Sequence, residues 1–93
     1  MTLAKSAVTG IVYRAPETGY SSNNVAVSTF VLDIGEGMLI RIIARRQTLN
    51  DVVATISKGD KVLVEGRLQT AVAKMDDGSE KRIYEIDAVH IEK

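Results

Sequence analysis

The sequence predicts an all-β fold: a five-stranded barrel with one short helix between the third and fourth strands. Three observations lead there. Val, Ile and Thr recur in short runs where apolar residues mostly alternate with polar ones, the period of a half-buried strand. A single stretch, Gln47-Thr48-Leu49-Asn50-Asp51-Val52-Val53-Ala54-Thr55-Ile56, changes to helical spacing. Glycines interrupt two strands, Gly10 in the first and Gly66 in the fourth, and such glycines permit the bulges a small sheet needs to close on itself.

Strand 1 is predicted at about 3–14 and strand 2 at about 24–34, after the turn-rich Thr18-Gly19-Tyr20-Ser21-Ser22-Asn23. In strand 2, Ser28, Phe30, Leu32 and Ile34 share one face; Val27, Thr29, Val31 and Asp33 share the other. Gly35-Glu36-Gly37 reads as a tight hairpin into strand 3, about 38–45. Leu49, Val52, Val53 and Ile56 form the apolar side of the helix, with Thr48 or Asn50 as N-cap and Gly59 as its stop. Strand 4 follows at about 61–70, then a hairpin around Asp76-Asp77-Gly78, then strand 5 at about 82–91. The order β-β-β-α-β-β is that of the OB-fold, a Greek-key barrel. No repeat, linker or low-complexity segment divides the chain, so residues 1–93 are read as one domain.

With no cysteine, disulfides and thiolate metal sites are excluded, which fits an intracellular setting. No apolar run approaches the roughly 20 residues of a membrane span, and the opening residues lack the apolar stretch of a secretory signal. A cytoplasmic protein is expected. His90 is a lone histidine with no second ligand, and Asp76, Asp77 and Glu80 miss the spacing of a calcium loop. There is no phosphate-loop motif and no nucleophile–base pair. No enzyme activity, cofactor, metal or small-molecule substrate is expected.

Twelve basic residues balance twelve acidic ones, but unevenly. Between Leu39 and Lys74 stand seven bases (Arg41, Arg45, Arg46, Lys58, Lys61, Arg67, Lys74) against three acids (Asp51, Asp60, Glu65). A neutral total therefore hides a basic middle, compatible with a local anion-binding face. Strand 3 is the centre of it. Ile40, Ile42 and Ala44 make the core face, so Leu39, Arg41, Ile43 and Arg45 point outward. In strand 4, Val62, Val64 and Leu68 fill the barrel while Lys61, Leu63, Glu65, Arg67 and Gln69 face out.

Several segments carry a family resemblance: Lys5 ahead of Gly10, Pro16 followed by a loop containing Tyr20, Val27-Ser28-Thr29-Phe30-Val31-Leu32, and above all the run Lys58-Gly59-Asp60-Lys61-Val62-Leu63-Val64-Glu65-Gly66-Arg67-Leu68-Gln69-Thr70. Over nearly its whole length the chain resembles the bacterial-type single-stranded DNA-binding proteins. The resemblance implies an OB barrel, assembly as a homodimer or homotetramer in which strand 1 pairs across a two-fold, and non-catalytic binding of single-stranded DNA without sequence preference. It also exposes departures. The base-stacking aromatics of the family fall on Leu39, Arg45 and the Ala71-Val72-Ala73-Lys74 stretch, and the usual long loop between strands 2 and 3 is cut to Gly35-Glu36-Gly37. The acidic C-terminal tail that recruits partners in the family is not found. Stacking contributes about 1–3 kcal/mol per base, so weaker, phosphate-dominated binding is expected.

The candidate contacts are Arg41, Arg45, Arg67 and Lys74 as an electrostatic groove, Arg46, Lys58 and Lys61 at its edges, and Lys5 and Tyr20 by resemblance. An arginine can also lay its planar guanidinium on a base. Two other readings stay open. Arg41 and Arg67 pair with Glu65, Asp33 or Glu85 on neighbouring strands, and the face serves a protein contact as an adaptor module; or the ligand is RNA. Exposed Leu39 and Leu63 on this face favour a protein contact, and open strand edges favour a homo-oligomer.

Overall fold

The computed structural model describes residues 2–93, with side chains from Lys5 onward. The strands are β1 (Thr2–Tyr20), β2 (Ala26–Asp33), β3 (Leu39–Ala44), β4 (Lys61–Lys74) and β5 (Glu80–Glu92), with helix α1 (Gln47–Val53) between β3 and β4. They close a barrel in the order β1-β2-β3-β5-β4, with every pairing antiparallel except β3 with β5. This is the five-stranded barrel, with its one short helix, that the sequence predicts.

Barrel closure rests on β1, which runs six residues beyond the end predicted from sequence. Its first half pairs with β4 as far as Ile11, and from Ile11 onward it pairs with β2. The bend between the halves uses two register shifts, between Val12 and Arg14 and between Arg14 and Glu17. Pro16 falls in the second shift, where its missing N–H breaks no ladder bond. The turn therefore comes later than expected: Ser21 N–H donates to Val25 O, and Asn24 takes a left-handed φ of 60°.

Two glycines are there for close approach. A Cβ on Gly10 would lie 2.5 Å from the Asp33 carbonyl oxygen, and one on Gly66 would lie 2.9 Å from Ala88 Cα. Gly66 also marks the shift at which Glu65 faces His90 while Gly66 faces Ala88, so Val89 is the extra residue of a bulge.

The alternation read from sequence fixes the core. Val12, Phe30, Leu32, Ile40, Ile42, Ala44, Val62, Val64 and Ile86 face inward, joined by Leu49 and Val53 of α1 and by Ile56. The helix is shorter than its apolar pattern, because Thr55 and Ile56 donate back to Val52 and Val53 and tighten the chain. Its N-cap is Arg46, without a side-chain cap, rather than Thr48 or Asn50. Asn50 instead ties helix to sheet. Its Nδ2 donates to Arg46 O (2.9 Å) and Ala26 O (3.1 Å), and its Oδ1 accepts from the hydroxyl of buried Ser28. That bond satisfies a polar group on the core face.

Candidate nucleic-acid interface

Strand register sorts the outward side chains into rows across the barrel. One row runs Arg14 (β1), Val31 (β2), Arg41 (β3), Glu85 (β5), Gln69 (β4); the next runs Glu17, Thr29, Ile43, Asp87, Arg67 and, back on β1, Lys5. Residues directly paired in a ladder point to the same side of the sheet. These two rows therefore bring outer-face charges of β1, β3, β4 and β5 onto one side, with Val31 and Thr29 of β2 between them.

Arg41 lies on the outer face as expected, but it is engaged. Its Nε and Nη2 donate to Glu85 Oε2 at 2.7 and 2.5 Å. Glu85 Oε1 accepts from Gln69 Nε2 at 2.7 Å. Glu85 is only 3% exposed, so these partners stand in for the water its carboxylate would otherwise bind. Of the carboxylates that the alternative reading offered to Arg41, Glu85 is the one it meets. Arg45, just past β3, is more than half exposed and lies 3.5 Å from Asp87, a looser contact. Ile43 is buried between Arg41 and Arg45 on this outer face, and arginine stems cover apolar surface in this way.

Arg67 and Lys5 face each other in register, both exposed. They line a shallow cavity of about 520 Å³ with Ala7, Glu65, Gly66 and Val89. Among the described residues, neither makes an ion pair within 4 Å. The remaining candidates lie apart. Lys61 begins β4 beside Ile11, six residues or about 20 Å from Arg67 along the strand. Lys58 is exposed in the turn before it, and Arg46 caps α1. Lys74 stands opposite Glu80 at the far end of the β4–β5 hairpin. The structure thus brings together Lys5, Arg41, Arg45 and Arg67.

All three tyrosines are exposed: Tyr20 by 74%, Tyr84 by 59%, Tyr13 by 50%. Tyr20 ends β1 opposite Ala26, at the base of a turn and not within a loop. Neither Tyr13 nor Tyr84 is covered by this chain. Tyr84 instead borders a largely apolar cavity of about 420 Å³ with Val8, Ile34, Met38, Leu39 and Leu68. Arg14 is the outer-face cation that sequence reasoning missed. Counting by twos from inward-facing Val12 turns it inward, and only the register shift at Tyr13 turns it out.

The chain is similar to several characterised proteins. It is 24% identical over 95 residues to the single-stranded DNA-binding protein of Corynebacterium glutamicum, a match that covers 87% of this chain. The chain spans only 42% of that relative's length. Among solved structures, a small single-stranded DNA-binding protein from Streptomyces coelicolor superposes with a TM-score of 0.79 at 23% identity, covering 99% of this chain and 94% of that one. A Plasmodium falciparum SSB solved in complex with ssDNA gives a TM-score of 0.70 at 26% identity, over 92% of this chain and 86% of that one. The barrel is therefore an OB-fold of the kind these proteins share. The family model described as "Single-strand binding protein family" matches residues 3–93, and the chain belongs to that family.

Proposed function

We propose that this OB barrel binds single-stranded DNA without sequence preference and without catalysis, through the backbone phosphates more than the bases. The observation that carries the reading is the pairing of Lys5 with Arg67, two exposed cations side by side that, among the described residues, make no ion pair within 4 Å. Arg45 extends the same face past β3. Arg41 supplies a guanidinium oriented by Glu85. Arg46, Lys58, Lys61 and Lys74 contribute as point charges at the margins, and Tyr20 offers a ring for stacking at the β1–β2 turn. Glu85 and Asp87 lie among the central cations and reduce the net field. Binding weaker than that of family members rich in aromatics follows, with strong dependence on salt.

Self-association accompanies this reading. Residues 2–10 of β1 pair with β4 on one side only, so the other edge carries unpaired backbone groups that a second copy can use. A cytoplasmic location, with the nucleoid, goes with it.

The test is anisotropy of a labelled oligo-dT at increasing salt, with a matching RNA alongside. Each phosphate neutralised adds about −0.7 to the log–log slope. Absence of saturable DNA binding near about 50 mM salt would overturn the proposal. The second reading, a protein-binding adaptor, is favoured by the apolar cavity beside Tyr84 and gains if neither nucleic acid binds. Tighter binding of the RNA would replace DNA as ligand.

A further inference from the structure

We propose a phosphate subsite over Val31, between Arg14 on one side and Arg41 on the other, in which Arg14 is a binding residue. It rests on the single-strand reading above and adds a residue and a location to it.

The β1 bulge creates the site. Val12 pairs with Leu32 in the core, yet Arg14, two residues later, pairs with Val31, only one residue along β2. The extra residue reverses the phase of β1, so Arg14 joins the outer face. Val31 pairs in turn with Arg41, which places the two arginines on either side of it, about 10 Å apart at the Cα atoms from the usual strand spacing. Their side chains line one small cavity of about 200 Å³ with Ala15, Glu17, Thr29 and Val31.

The chemistry favours a phosphodiester over a base. Phe30 borders the cavity but is 2% exposed and presents no ring face. Two guanidiniums flanking a short aliphatic floor match the two non-bridging oxygens of one phosphate, each able to accept from one arginine. Arg41 spends Nε and part of Nη2 on Glu85, and among the described residues its Nη1 makes no hydrogen bond. Arg14 is exposed and, among the described residues, makes no ion pair within 4 Å. It therefore carries the uncompensated charge of its row. Glu17 lines the same cavity and opposes the anion, which gives the test a second sign.

Oligo-dT titrations over a salt series compare the full chain with its Arg14→Gln, Glu17→Gln and Arg82→Gln variants. Arg82 is exposed on the β4–β5 hairpin, outside both rows, and controls for simple loss of one positive charge. Arg14→Gln is expected to make the slope shallower by about 0.7 and to weaken binding roughly eightfold near 50 mM salt, the factor that slope gives against a 1 M reference. Glu17→Gln is expected to tighten binding, and Arg82→Gln to leave the slope unchanged. Saturable binding by the parent chain with an unaltered slope in Arg14→Gln, or an equal loss in Arg82→Gln, overturns the subsite alone. No binding by the parent chain overturns it together with the reading beneath it.

Discussion

Arg41 and Glu85 sit side by side across the parallel β3–β5 pairing, and the arginine closes on one carboxylate oxygen through Nε and Nη2 while Gln69 takes the other. A buried carboxylate with both oxygens occupied is a structural element of the barrel. Removing the arginine strands that charge, whereas removing both members leaves none to strand. Arg41→Ala is expected to cost about 3 kcal/mol of stability, while Arg41→Met combined with Glu85→Leu is roughly neutral. Urea denaturation of the two variants decides it; equal destabilisation by both would show the pair to be less coupled than its geometry.

Lys5 and Arg67 give the cleaner probe of binding, since neither supports a buried charge. Their joint replacement by glutamine is expected to flatten the salt dependence of oligo-dT binding by about 1.4, two phosphates' worth, with the melting temperature little changed. A slope equal to that of the parent chain would remove both from the interface.

Asn50 reaches from α1 to the backbone of β2 and accepts from the Ser28 hydroxyl. Asn50→Ala leaves the Ala26 carbonyl and buried Ser28 each one partner short, although Thr18 still meets Ser28 at 2.9 Å. The expected loss is about 1–3 kcal/mol. An unchanged urea midpoint would mean that water or a shifted helix replaces those bonds.

Asp60 links the turn after α1 to the last residue. Its carboxylate accepts from Ser57 N–H at 2.8 Å and meets Lys93 Nζ at 3.3 Å. The Ser57 hydrogen bond chiefly, helped by Lys93, lowers its pKa below the ordinary aspartate value. A depressed folded-state pKa means that the stabilisation is complete above the ordinary value of about 3.9 and is lost as pH falls through the lower, folded one. In an NMR titration, the Ser57 amide shift should therefore move with a midpoint below about 3.9. A midpoint at or above that value would contradict the assignment.

Local pattern made much of this barrel readable. Alternation in Ser28–Leu32, Ile40–Ala44 and Val62–Val64 placed the core, because a strand with one buried face must keep period two. Counted on from Val12, the same rule would turn Arg14 inward, since a bulge resets the phase and leaves no mark in the residue types. Nor does any local pattern bring Glu85 to Arg41: that contact depends on β5 lying parallel to β3, a long-range outcome of closure. The outward arginines were legible, and which of them remained unneutralised was not. Asn50 was recognised as a residue suited to a helix start, but its bonds to β2 depend on where the helix docks.

The double duty of β1 bears on how the chain comes to fold. Ile11 must meet Asp33 on one side and Lys61, 50 positions downstream, on the other. The opening segment has no ladder partner of its own until β4 exists, so loop-closure entropy is met before most of the reward arrives. During synthesis those residues wait until β4 has followed them, and refolding of the barrel from denaturant is expected to be slow for so small a domain.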